Sequence, residues 1–353
     1  MIKLITSSML GFAFVAATGL SVAGESPKVA IPSLQSAQWE EVGQLPRSLE
    51  SHGTVALDGF AYVLGGWNDT AGPYSDVFFA LLTPEGALEE WQQTQASLPL
   101  RLQHHAVITH DQAIYVLGGD NGFGQGSMVS DRIFRAVPNE RGDILEWQEV
   151  GTLPSPLTIH AVTTIDDRVF VLGGSRTFAP DSELLSSVFT ATISSEGELG
   201  EFQELTPFPS PIGWLTATAI GRQLVAISGK VSFSPSRLTE SVWVSNVDDD
   251  FQLSPFAATS ATEPRERHAS VVLGRTLVVI AGGGSTGVLS SVEATEVDSQ
   301  GNISPWVELA PLPEPRYAHS AFANDNSIYV SGGFIRYGSN ETSDKIFRLE
   351  VTP

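Results

Sequence analysis

Tyr62-Val63-Leu64-Gly65-Gly66, a short apolar run closed by two glycines, returns as Tyr115-Val116-Leu117-Gly118-Gly119, Phe170-Val171-Leu172-Gly173-Gly174 and Tyr329-Val330-Ser331-Gly332-Gly333. Two looser copies lie between, Val225-Ala226-Ile227-Ser228-Gly229 and Val279-Ile280-Ala281-Gly282-Gly283, the second read with Gly282-Gly283 as its pair. First members of the pairs are then separated by 53, 55, 55, 54 and 50 residues. Six copies of one such unit define a repeat architecture before any single residue is weighed.

Working outward, each unit ends on an aromatic residue: Trp91, Trp147, Phe202, Phe256 and Trp306, with Trp39 ahead of the first. Thirteen residues before them stand Phe78, Phe134, Phe189, Trp243 and Glu293, and five before them Gly86, Gly142, Gly197, Phe251 and Gly301. These offsets tie two strands to one hairpin whose glycine takes a positive φ. Each unit therefore reads as four short strands, a to d, with strand b the continuous apolar run of a buried strand. Abundant glycine and proline and no helical period make the chain all-β. Four-stranded units repeated radially describe a propeller.

The diglycine after an apolar strand, the closing tryptophan and the period near fifty resemble the kelch family of β-propellers over residues 35–353. The resemblance implies a six-bladed kelch-type β-propeller. Local departures are Ser228 for the first glycine, Phe251 for the hairpin glycine and Glu293 for an aromatic. The last unit stops after strand c, while Ala37-Gln38-Trp39-Glu40-Glu41-Val42 is an orphan strand d. Pairing the two would close the ring with an N-terminal outer strand and leave no free blade edge.

Residues 1–23 read as a signal peptide, with Lys3 at the start, an apolar run from Met9 to Ala23 and small residues at Ser21 and Ala23. Residues 24–34 read as a linker, and the mature chain is expected to be secreted or periplasmic, with no membrane span after cleavage. The sequence has no Cys, so no disulfide supports the fold. A net charge of −21 excludes nucleic acid and anionic membranes as partners and favours a self-repelling monomer. Asn68, Asn302 and Asn340 fit the N-glycosylation pattern.

In this connectivity the d-to-a and b-to-c loops share one face, the face kelch domains commonly use for ligands. Candidate ligand-binding residues there are Arg47, Arg101, Arg176, Trp214, Arg265, Arg267, Arg316 and Tyr337. Arginine beside aromatic residues is the composition of recognition surfaces, and such arginines could grip a carboxylate. Acidic neighbours such as Asp120, Glu263, Glu266 and Glu314 keep the face near neutral. His52, His105, His160 and His319 lie thirteen residues before the diglycine and His268 fourteen. Equivalent positions around an axis do not converge to metal-ligand distances of ~2 Å, so a structural role is expected, with no metal and no cofactor. His104 and His110 fall outside that register and have no assigned role.

The leading reading is a binding module for a protein partner or glycan, with an anionic ligand among those such arginines suit. The alternative is a sugar epimerase or mutarotase, by resemblance to exported kelch-type sialic acid epimerases. It would use Glu266 with Arg101, Arg267 and Arg316. Blades four and five, where the pattern weakens, are the expected places of specialisation.

Overall fold

A computed structural model describes residues 31–351 except 123, 125 and 180. The leader expected over residues 1–23 and the loop aromatic Phe123 lie outside the described residues. Six antiparallel sheets form the blades of a propeller. Blade one comprises Gly53–Leu57, Phe60–Leu64, Val77–Leu81 and Gln92–Gln93, from the axis outward. Blade six draws its outermost strand from the other end of the chain: Trp39–Gln44 pairs antiparallel with Lys345–Glu350.

Strand b is buried on both faces because it is packed between two neighbouring blades, as in Ala113–Leu117. Tyr62, Leu64 and Phe79 of blade one thus share a core with Ile114, Val116 and Phe134 of blade two. Gly86, Gly142, Gly197 and Gly301 take the positive φ expected of the hairpin position. Phe251 adopts it too, at φ 59°, with the Arg168 and Arg222 guanidinium groups stacked 4.9 and 4.7 Å from its ring.

The diglycine is a contact between blades. A Cβ on the first glycine, Gly118, would lie 2.5 Å from the Leu157 carbonyl oxygen and 2.9 Å from His160 Cε1, both in the next blade. A Cβ on the second, Gly119, would meet His105 of its own blade at 2.7 Å. Both positions also have left-handed φ. Gly118→Ala should therefore cost about 3–5 kcal/mol by denaturant unfolding, the range of strain combined with a core clash. Gly287→Ala, which meets open space, should change stability by less than about 0.5 kcal/mol.

This geometry corrects the register of blade five. Gly282 meets His268 Cβ and the Glu266 carbonyl, as second members do, and Ala281 has φ 49°. The pair is Ala281-Gly282, so His268 also stands thirteen residues before its first member. Ser228 takes the same position in blade four with φ 48° and Leu215 replaces the histidine. In both blades strand b runs on through the pair as a bulge, giving long hairpin ribbons: Gln223–Ser232 with Arg237–Asn246, and Thr276–Gly284 with Val288–Glu296.

A second correction concerns residues 31–34, expected as linker. Ile31–Ser36 is a short helix, and its Leu34 is buried with Val278, Val292 and Ile328 between blades five and six. Apolar burial recruits the segment into the fold. Asn68 is likewise buried, donating to the Ser48 carbonyl at 3.0 Å, and is closed to glycosylation in the folded chain.

Candidate functional site at the channel mouth

One residue per blade, immediately before the register histidine or, in blade four, before Leu215, faces the propeller axis: Ser51, His104, Ile159, Trp214, Arg267 and Ala318. All six hold left-handed φ between 49° and 55°. Side chains other than glycine occupy that region at a cost, and here backbone hydrogen bonds running around the axis offset it. Ser51 N donates to Ala318 O (2.8 Å), His104 N to Ser51 O (3.1 Å), Trp214 N to Ile159 O (2.9 Å), Arg267 N to Trp214 O (3.2 Å) and Ala318 N to Arg267 O (2.8 Å). These five bonds join the six residues of this annulus in series around the axis.

The register histidines line a cavity of about 130 Å³ with this annulus. Burial drives their pKa values down, helped by neighbouring histidines or arginines: His52 and His319 to about 3, His105 and His160 to about 4, and His268 well below the usual value. They sit between blades as neutral rings. His52 Nε2 meets Ser331 Oγ at 2.9 Å and His268 Nε2 meets Thr216 Oγ1 at 3.0 Å, each across a blade boundary. Among the described residues no group of three or more candidate ligands could hold a metal ion.

A funnel of about 410 Å³ shares His104, Trp214 and Arg267 with that cavity. Its walls are Trp67, Phe178, Ala179, Trp214, Phe233 and Phe334. Short bridges between d-to-a and b-to-c loops, Glu50 with Trp67, Gln103 with Asp120, Gly213 with Lys230 and Tyr317 with Phe334, hold these residues at one end of the propeller. The aromatics brace one another: Phe178 and Trp214 meet edge-on at 6.0 Å, as do Trp214 and Phe233 at 5.3 Å, and Trp67 and Phe334 lie 6.0 Å apart.

Polar groups gather where the funnel meets the annulus. Asp120 accepts from Gln103 Nε2 (2.7 Å), Thr158 Oγ1 (2.5 Å) and Gly122 N (3.1 Å), and His104 Nδ1 lies 3.0 Å from its Oδ2. With Nδ1 engaged by Asp120, the remaining ring nitrogen of His104 is Nε2. That nitrogen is buried without a partner. Glu50 is held by Ser51 Oγ, and burial raises its pKa against the opposing pull of His104, Arg267 and that hydrogen bond. The Arg267 guanidinium stacks 4.0 Å over Trp214, and its Nε has no partner. Lys230 and Glu266 form an ion pair at 3.1 Å beside them.

Of the candidate residues read from sequence, Trp214 and Arg267 line the funnel, whereas Tyr337 is not among its lining: its ring lies 4.9 Å from that of Tyr317 and its hydroxyl donates to the Gly284 carbonyl at 3.1 Å. Arg47 is turned away, paired with Asp76 at 2.8 Å and stacked on Tyr74. Arg101 is exposed, and Arg176, also exposed, reaches Ser155 Oγ at 3.4 Å.

Arg265 and Arg316 are corrections: both are 0% exposed and cannot reach a ligand. Arg265 donates to the Ala281 carbonyl and pairs with Glu293; Arg316 stacks 4.8 Å over Phe347 and pairs with Glu314. Arg316 over Phe347 and Arg265 on Glu293 are equivalent contacts, so in blade five an ion pair stands where blade six has a cation stacked on a ring. Removing the carboxylate from such a pair strands a buried guanidinium charge. Sequence reasoning missed Glu50, Gln103 and the role of His104. Their signal was positional, since they stand one and two places before a register histidine.

No family model matches the chain. Beta-scruin of Limulus polyphemus is 26% identical over 233 residues, covering 65% of this chain and 24% of that protein. Kelch-like protein 38 of Rattus norvegicus is 29% identical over 150 residues, 41% of this chain and 24% of its own length. The chain thus spans about a quarter of these curated relatives. Kelch domain-containing protein 10 of Xenopus tropicalis is 22% identical over 325 residues, with 86% and 75% covered. The solved structure of YjhT superposes with a TM-score of 0.68 at 12% identity, over 86% of this chain and 95% of that one.

The chain is a six-bladed kelch-type propeller. In this kelch propeller the family's diglycine is the seam between blades, and the residues before the register histidine surround the axis. Among the described residues no helix is long and apolar enough to cross a membrane.

Proposed function

We propose that this kelch propeller is a binding module that receives a projecting segment of a protein partner in the funnel between its d-to-a and b-to-c loops. The observation that carries the reading is the apolar wall of Trp67, Phe178, Trp214, Phe233 and Phe334 around one cavity on the axis. A largely apolar pocket with a few polar groups at one end is the usual form of a ligand site. Aromatic residues with an arginine are the residues that dominate protein interfaces. The kelch proteins among its relatives support a protein as the partner, because kelch propellers are in general protein-binding modules. Withdrawal of Arg265 and Arg316 from the face weakens the case for an anionic ligand. The same reading has the chain exported after loss of residues 1–23 and acting as a monomer.

Peptides selected from a random phage-displayed library on the full propeller test this. Their affinity should fall at least about tenfold with Phe233→Arg, a half-buried wall residue, and hold within about twofold with Val137→Arg. Val137 is exposed in the c-to-d hairpin of blade two, at the other end of the blades. Peptides insensitive to Phe233→Arg and lost with Val137→Arg would overturn the face.

A further inference from the structure

We infer that the outermost strand of blade four, Ala257–Ala261, is a second docking site that takes an extended, cationic segment of a partner as a fifth strand. The outer strands of blades one, three and five have two residues each, too short to template a partner. The long ones belong to blades two, four and six. Blade six's carries Glu40 and Glu41, and blade two's carries Glu149. Such charges protect an edge, because a row of free N–H and C=O groups is a template for pairing. Ala257-Ala258-Thr259-Ser260-Ala261 has neither charge nor proline, and all but Ser260 are exposed.

Blade two's edge is also occupied. Leu199 N of blade three donates to Val150 O of that strand at 3.0 Å. The counterparts in blades five and four are Ile303, three residues before Trp306, and Thr259, three after Phe256. They make no such bond, and among the described residues no backbone hydrogen bond reaches 257–261 from outside their own sheet. Blade five meets the strand through a side chain instead, Trp306 Nε1 donating to Ser260 Oγ at 2.8 Å. Both outer strands bulge at this point, so the bulge does not separate them.

Charge decides the occupant. The strand is uncharged, yet exposed carboxylates surround it. Glu240 and Glu263 stand at one end, with Thr262 N donating to Glu240 O, and Asp249 and Asp250 lie in the hairpin at the other. Glu308 is on the adjoining outer strand of blade five. A second copy of the chain would set these carboxylates against their own kind. An extended segment bearing lysine or arginine gains the backbone bonds and the attraction together.

Amide hydrogen exchange of the full propeller with the probe Ac-Lys-Val-Thr-Val-Lys-Val-Thr-NH2 tests the site. Exchange at residues 257–261 should slow at least about tenfold. The double variant Ala257→Lys, Ala261→Lys should weaken the probe at least about tenfold, while Gln148→Lys on blade two's outer strand and Phe233→Arg in the funnel hold within about twofold. Methylating alternate backbone nitrogens of the probe should abolish protection, and replacing its lysines by glutamate should abolish binding. No slowing at 257–261, equal protection by the methylated probe or equal binding of the glutamate probe overturns the inference. Self-association of the native chain that the double lysine variant abolishes would give the edge to a second copy and also overturn it. Loss of the probe with Phe233→Arg would place it in the funnel instead, which overturns this site and leaves the funnel reading intact.

Discussion

Acidification from pH 7 toward pH 4 should unfold this propeller, with a melting temperature that falls steeply below about pH 6. The cause is the set of neutral histidines wedged between blades. In the unfolded chain each protonates near 6.5; in the fold His52 and His319 wait until about 3 and His105 and His160 until about 4. Between those values the unfolded state binds more protons, so stability rises with pH across the window and is lost as pH falls through it. At about 1.4 kcal/mol per pH unit, each histidine withdraws on the order of 3–5 kcal/mol once the pH has dropped through its whole window. The net charge of −21 works the other way, because protonating carboxylates relieves self-repulsion.

The chain supplies its own control for separating the two effects: blade four carries Leu215 where the others carry histidine. The double variant His105→Leu, His160→Leu should keep its stability at pH 7.5 within about 2 kcal/mol and move the acid midpoint down by roughly half a unit or more. Thermal unfolding followed by circular dichroism across pH 3.5–8 measures both. An acid midpoint equal to that of the native chain would remove the histidines as the cause.

Removing the closing strand should have the other large effect. A chain starting at Leu45 should melt at least about 10 °C lower, as expected for loss of several kcal/mol of packing and pairing. Trp39–Gln44 completes blade six by pairing with residues 345–349. Trp39 also donates from Nε1 to the Ala310 carbonyl at 2.9 Å in blade five's outer strand region, Glu40 pairs with Arg348, and Glu41 lies 3.4 Å from Lys345. Without the strand, Lys345–Glu350 becomes an exposed edge, a template for pairing between copies. A synthetic peptide of residues 31–46 added to the truncated chain should restore most of the loss and suppress self-association in size-exclusion chromatography. An unchanged melting temperature on truncation would show that the ring is held by its blade seams alone.

Much of the fold was legible because its cause is local and repeated. The diglycine needs glycine for φ and for clearance, the hairpin glycine for φ, and strand b must be apolar on both faces. All three demands recur at fixed offsets. The misread pair at Gly282-Gly283 shows the limit of matching letters: Ala281 holds the left-handed conformation that glycine usually supplies, and the thirteen-residue spacing from His268 was the better ruler. Leu34 was illegible for a different reason. A helix of six residues has no period long enough to read, and only the gap between blades five and six makes it part of the core.

The candidate site divides in the same way. Composition alone marked arginines and aromatics on one set of loops, and of these Trp214 and Arg267 line the funnel. It could not distinguish them from Arg265 and Arg316, which have the same chemistry in the same loops but turn inward to meet Glu293 and Phe347. By itself the sequence determined the number of blades, the seams between them and the ring of histidines, because each is imposed by sterics within a few residues of chain and repeated. Only the tertiary structure decided which side chains face the axis. The annulus exists only when six blades meet around the axis, and His104, Asp120 and Glu50 come together across blades one and two, where no spacing along the chain records their approach.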